Sequence, residues 1–174
     1  EVRAVCRECN TCNIMKPIFN KPKMGTLIKS TRPMERLSLD FIGPLQSVTQ
    51  NKFIFTAVDE YSRYTFAYPC KDTSTSTVIK CLQEIISYFG NPLSVHSDRG
   101  SGFMSREFSH FLMSQGIHQS RTTPYHPYSN GQNERYNGVL WRTIKLLLKD
   151  RDLSEKHWES VIIVALHCQR SLLN

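Results

Sequence analysis

The chain has 174 residues, 40% of them hydrophobic and 21% charged, enough for one domain of ordinary size with its own core plus an appendage. No apolar run approaches the roughly 20 residues of a membrane-spanning helix, which excludes a helical span. The net charge of +7 gathers in two blocks: residues 1–33 carry seven Lys/Arg against two Asp/Glu, and residues 135–151 carry five against one. Charge of one sign concentrated in this way suits a polyanion such as nucleic acid, although a solvated basic face gives the same count.

Six cysteines, three of them crowded at the start, suit a reducing compartment or a metal site. Cys6-x-x-Cys9-x-x-Cys12 contains two overlapping CxxC frames. A structural zinc site needs four ligands, and no histidine occurs before His96. Three free cysteines are the other reading. From Pro17 to Pro33, prolines and a glycine alternate with lysines. Proline breaks helix and denies a sheet donor, so this is an extended basic linker that either tracks a DNA backbone or stays solvated.

The first strand runs from Met34 to Leu45, with Asp40 near its exit and Gly43-Pro44 to end it. Phe53–Val58 and Tyr64–Tyr68 form a hairpin whose turn accounts for Asp59 and Glu60. Val78, Ile79, Leu82, Ile85, Ile86 and Phe89 recur at helical spacing; Ser74 or a neighbouring Thr caps this helix and Gly90-Asn91-Pro92 stops it. Cys81 reads as a small core residue. The short run Leu93–His96 is a strand that releases Asp98 into the turn Arg99-Gly100-Ser101-Gly102. Ser105 caps a short helix with Phe108, Phe111 and Leu112 on one face, Gly116 ends it, and Ile117–Thr123 alternates as the last strand.

Pro124 to Gly131 is a loop of prolines and small or polar residues, of the kind that closes over a ligand. His126 in it is a proton shuttle or, in the plainer reading, a packing residue. A long helix follows, Gln132 to Lys149. At about 100° per residue, Tyr136, Leu140, Thr143 and Leu147 fall on one stripe, expected to pack on the sheet. Glu134, Gly138, Trp141, Lys145 and Lys149 fall opposite. Lys145 and Lys149 are placed to meet phosphates or simply to stay in water. Leu153 and Trp158 are set as a hydrophobic staple around an N-cap at Ser154, and Trp158, Val161, Ile162, Ala165, Cys168-Gln169 and Leu172 continue an amphipathic helix. Strands alternating with helices predict an α/β fold, a mixed sheet with helices on its faces.

Asp40, Asp98 and Glu134 sit at the ends of three separate elements. Three carboxylates so delivered are what a two-metal phosphoryl-transfer site needs, because hard Mg²⁺ ions take oxygen ligands and a pair of them holds the attacking and leaving oxygens. Each Asp alone also reads as a turn former.

Asp40, Asp98 and Glu134, with 35 residues between the last two, resemble the DDE core of retroviral and LTR-retrotransposon integrases. The words Val95-His96-Ser97-Asp98-Arg99-Gly100 and Thr123-Pro124-Tyr125-His126-Pro127 through Asn130-Gly131-Gln132-Asn133-Glu134-Arg135 look most like the Ty3/Gypsy branch. Tyr128 departs from the family, which has Gln there; the carboxylates are untouched by that. The resemblance implies a ribonuclease-H-like mixed five-stranded sheet flanked by helices, with the catalytic core over residues 34–174. It implies a truncated His-His-Cys-Cys zinc domain over 1–17, whose ending Cys9, Cys12 and Lys16 fit best, and a basic linker over 18–33. It further implies that the chain is a fragment, with paired histidines before residue 1 and no C-terminal DNA-binding module.

By the same resemblance, Asp40, Asp98 and Glu134 hold two Mg²⁺ (or Mn²⁺) ions. Tyr125, His126, Asn130, Gly131, Gln132, Arg135, Asn137 and Lys145 lie at the DNA, Asn137 also steadying the site. The implied reaction trims the 3′ ends of element DNA and joins the new 3′-OH to target DNA. The implied setting is a homo-oligomer working in the nucleus after cytoplasmic transit, and in virus-like particles. A ribonuclease H shares the fold and metal chemistry but orders its acids differently. A domesticated descendant that binds DNA or protein without catalysis is the alternative from another class.

Overall fold

The computed structural model describes residues 30–121 and 131–171, excepting the side chains of 131–133. Cys9, Cys12, nearly all of the linker, and Tyr125, His126 and Asn130 therefore lie outside the described residues, as do the side chains at 131 and 132. Five strands form one mixed sheet: β1 (Arg36–Ile42), β2 (Phe53–Asp59), β3 (Thr65–Cys70), β4 (Ser94–Ser97) and β5 (His118–Arg121), in the order β3-β2-β1-β4-β5. β1, β2 and β3 pair antiparallel, as the expected hairpin requires, while β4 and β5 add in parallel. Pro69 is accommodated because β3 is an edge strand and loses no ladder bond that the sheet needs. The expected first strand is shorter than the apolar run: it stops at Ile42 because Gly43 turns the chain at φ +138°, where a Cβ would stand 2.7 Å from the Lys52 carbonyl oxygen.

The period-2 alternation of β1 and β2 sends side chains to two different cores. Leu37, Leu39, Phe55 and Ala57 enter the first, beneath α1 (Thr75–Phe89), α2 (Ser101–Met104) and α3 (Arg106–Ser114). Ser74 caps α1 by accepting from the Thr77 amide at 3.4 Å, and Ser105 caps α3 by accepting from Phe108 at 3.0 Å. Ile54 and Ala67 enter the second core, with Leu140, Ile144 and Leu148 of α4 (Gly131–Asp150). A 3₁₀ segment (Glu155–Val161) and α5 (Ile162–Ser171) complete it with Trp158, Val161, Ile162, Ala165 and Leu166. Each fully buried Leu, Ile or Phe in these cores is worth about 1.5–3 kcal/mol of transfer free energy.

Three further expectations need correction. The packed face of α4 lies off the expected stripe: Leu140, Ile144 and Leu148 are fully buried, and of these only Leu140 belongs to that stripe. Tyr136, Thr143 and Leu147 are half-buried. The cause is the 3₁₀ segment and α5, which cover a flank the helical wheel alone assigned to solvent. The staple around Ser154 takes another form: Trp158 is fully buried, Leu153 stays 37% exposed, and Ser154 Oγ meets His157 Nδ1 at 3.0 Å rather than a backbone amide. The Gly-rich turn expected after Asp98 instead winds into α2, a single helical turn.

Candidate active site

Parallel pairing of β1 and β4 ends with Leu39 opposite Ser97, so Asp40, still paired with Thr56 of β2, and Asp98, the first residue past β4, come side by side. Asp40 accepts the amide of Phe41 on Oδ1 at 2.8 Å, and the side-chain amide of Asn137 donates to Oδ2 at 2.9 Å. Asp98 folds back on its own turn, accepting the Gly100 amide at 2.9 Å. Both acids line a cleft of about 270 Å³, with Phe41, Gly43 and Phe53 on the β1–β2 side and Thr73, Gly102 and Phe103 on the other.

Glu134 lies in the first turn of α4, exposed, one turn before Asn137. The hydrogen bond from Asn137 to Asp40 is therefore what brings the start of α4 to the end of β1. Burial pushes the Asp40 carboxyl up to about 6, and the like charges of Asp98 and Glu134 add to the rise against the lowering pull of Phe41 and Asn137. The third acid is thus close enough for its charge to be felt at the first. Among the described residues, however, no three His, Cys, Asp or Glu side chains are gathered tightly enough to hold a metal ion. What is preformed is the Asp40–Asp98 pair. Two carboxylates of one cleft fit a hard divalent cation, since Mg²⁺ is held by one or two carboxylates and completes its shell with water and phosphate oxygens. The buried Asn137 Oδ1, which has no hydrogen-bond partner, leaves a further oxygen beside them.

Of the remaining expected site residues, Arg135 is exposed beside Glu134. Asn137 spends its amide nitrogen on Asp40, as a steadying residue does. Lys145 reaches Glu155 at 3.7 Å and stands 5.8 Å from the Trp141 ring centroid. Asp59 and Glu60 serve the hairpin turn: Asp59 accepts from the Met34 and Ser62 amides, and Glu60 pairs with Arg36 at 3.1 Å.

Two features of the rim escaped the sequence. Thr73 and Gly102 touch: a Cβ on Gly102 would fall 2.2 Å from the Thr73 carbonyl oxygen. The second is a clasp on the β1–β2 connection. Ser47 Oγ at 2.6 Å, Thr49 Oγ1, and Asn51 Nδ2 at 2.7 Å all donate to the Glu159 carboxylate, while the Val48 amide donates to the Lys156 carbonyl at 3.1 Å. Burial raises the Glu159 pKa, yet these donors hold it below the usual carboxylate range. Both contacts join residues far apart in the chain, and no local pattern announces them.

The family model for the integrase core domain matches residues 30–127, more than half of the chain. The chain belongs to the integrase core domain family. It is 30% identical over 168 residues to the Pro-Pol polyprotein of feline foamy virus, covering 96% of this chain and 14% of the polyprotein. It is 31% identical over 153 residues to the transposon Tf2-3 polyprotein of Schizosaccharomyces pombe, covering 86% and 11%. The chain thus spans about a seventh or less of these relatives' length. Among solved structures it superposes on the simian T-cell lymphotropic virus intasome bound to PP2A regulatory subunit B56 gamma with a TM-score of 0.71 at 25% identity, over 94% of this chain and 58% of that one. The HTLV-2 integrase catalytic core, solved with magnesium, gives 0.63 at 25% identity over 78% and 84%. The expected resemblance to retroviral and Ty3/Gypsy integrases and the expected ribonuclease-H-like five-stranded sheet are both borne out.

Proposed function

We propose that this integrase core carries out divalent-metal-dependent polynucleotidyl transfer: it trims the 3′ ends of element DNA and joins the resulting 3′-OH to target DNA. The observation that carries the reading is the 2.9 Å hydrogen bond from Asn137 to Asp40, which ties the helix bearing Glu134 to the two acids of the cleft. Asp40, Asp98 and Glu134 are the residues that would hold two Mg²⁺ or Mn²⁺ ions. When bound, such ions lower the pKa of a water or a 3′-OH and neutralise charge on the leaving oxygen.

The chain's own groups do the rest. Asn137 fixes the orientation of Asp40. Asp98, which lines the cleft, is held in place by the Gly100 amide on Oδ1. Arg135 is placed to bind a phosphate beside Glu134, and Lys145 a phosphate farther along the helix. Tyr125, His126, Asn130, Gly131 and Gln132 complete the DNA contact. No side chain is assigned as a covalent nucleophile. The working form is a homo-oligomer on element and target DNA, acting in the nucleus, with Cys9 and Cys12 closing a zinc domain of the longer protein. The intasome and the magnesium-bound integrase core among the structural neighbours support the DNA and metal assignments by analogy.

Asp40→Asn keeps the shape and can still accept from Asn137 but removes the shared negative charge. It is expected to reduce both 3′-end trimming and joining of a labelled oligonucleotide into plasmid to background in Mn²⁺. Joining at the wild-type rate would overturn the assignment.

A further inference from the structure

Two thiols that the proposed chemistry leaves unused lie within reach of each other. Cys70 ends β3 and Cys81 sits in the second turn of α1; their Sγ atoms are 3.7 Å apart and the residues are 4% and 7% exposed. Cys70 also donates to the Tyr68 carbonyl at 3.3 Å, so the Cys81 thiol is the donor to Cys70. That hydrogen bond holds the Cys70 thiol below the usual thiol range, and it pushes Cys81 up. A disulfide has its sulfurs about 2.05 Å apart, so bonding asks for about 1.7 Å of approach shared between two side chains.

Between the two cysteines lies Thr73, which lines the far wall of the cleft. The Thr73 carbonyl stands against Gly102, and Thr75 Oγ1 donates to the Gly102 carbonyl at 3.2 Å. Tying Cys70 to Cys81 would close residues 71–80 into a loop anchored at both ends beside Gly102.

We propose that Cys70 and Cys81 form an oxidation site, a dithiol that peroxide-class oxidants convert to a disulfide, tightening the Thr73 wall of the cleft. The Cys70 thiol gives its proton to solvent and the thiolate attacks hydrogen peroxide; the O–O bond breaks, Cys70 becomes the sulfenic acid, and the departing hydroxide takes a proton back from solvent to leave as water. The Cys81 sulfur then attacks the Cys70 sulfur; the S–O bond breaks, and the departing hydroxide takes the Cys81 proton to leave as a second water. Two thiols supply the two electrons that reduce one peroxide.

The test is peptide mapping of the full chain after mild peroxide treatment, with remaining thiols alkylated under denaturing, non-reducing conditions. Trypsin cuts after Arg63, Lys71, Lys80 and Arg99. The expected product is residues 64–71 joined to 81–99, lighter than the two peptides by the two hydrogens lost, and absent after dithiothreitol. Cys81→Ser is expected to abolish the linked peptide and leave Cys70 as a sulfur oxyacid. Alkylation of both thiols after oxidant, or Cys70 joined to another cysteine, overturns the proposal. Amide exchange across residues 72–77 is expected to slow in the linked protein; unchanged exchange overturns the coupling to the cleft wall. Neither readout involves DNA, so this proposal and the polynucleotidyl-transfer reading fail separately.

Discussion

At the scale of single residues, the cleft holds a carboxylate at a cost to stability. Asp40 titrates at about 6 in the folded chain against 3.8 in a free side chain, so the folded state binds its proton more tightly. Its stabilising contribution is complete below pH 3.8 and is lost as pH rises through 6. His96 works in the opposite direction. It is 4% exposed, bonded through Nδ1 to Ser120 at 2.9 Å, and its pKa is lowered to about 4 by burial, with the Arg36 charge adding to the effect. Its contribution is complete above pH 6.5 and is lost as pH falls through 4. Between about pH 4 and 6 the two slopes oppose each other. Asp40→Asn removes one of them, so urea unfolding should find this variant more stable than wild type at pH 7, by about 1–2 kcal/mol after discounting for solvent at the cleft. Below about pH 6 the variant should lose stability on acidification more steeply than wild type. Parallel curves for the two proteins would mean that Asp40 is ionised as freely in the fold as in water.

At the scale of elements, the rim depends on two non-local contacts, and each makes a prediction. Gly102→Ala places a methyl 2.2 Å from the Thr73 carbonyl oxygen, which is backbone and yields poorly. A loss of about 1–3 kcal/mol is expected, read as a lower melting temperature. An unchanged melting temperature would show the wall to be soft. Glu159→Ala strips the acceptor from Ser47, Thr49 and Asn51 and should cost about 1 kcal/mol, with faster amide exchange confined to the β1–β2 connection. Glu159→Gln should restore most of it, because the amide still accepts from both hydroxyls and can donate to a flipped Asn51. These contacts also mark where sequence legibility ends. Asp40, Asp98 and the hairpin were readable because a strand pattern, a Gly-Pro stop and a turn signal are all local. The inward face of α4 lies off its apolar stripe because its cover, Trp158 with Val161 and Ile162, arrives only after the helix has ended. Thr73 against Gly102 and Glu159 on the β1–β2 connection join residues dozens of positions apart, and hydrophobic periodicity carries no record of such pairs. Asn137 was legible as part of a sequence pattern; its partner was not.

At the scale of the whole molecule, the sheet has a core on each face and the paired acids stand where the pairing of β1 with β4 ends between them. Outside α4, Arg135, Arg142 and Lys149 recur every seven residues, so about two helical turns separate neighbours on one exposed stripe. That stripe begins beside Glu134, and a DNA strand with its end at the acids would run along it. Each phosphate neutralised there releases condensed counterions, so the logarithm of affinity should fall linearly with the logarithm of salt concentration, by about 0.9 per contact. Arg142→Ala and Lys149→Ala should each flatten that slope by about 1 while weakening all DNA sequences alike. Lys145→Ala should change it less, because Lys145 already has Glu155 at 3.7 Å and the Trp141 ring beside it. The measurement is fluorescence anisotropy of a labelled duplex across a salt series for the four proteins. If Lys145 carries the larger slope change and Arg142 none, the DNA follows the flank above the 3₁₀ segment rather than the outer stripe.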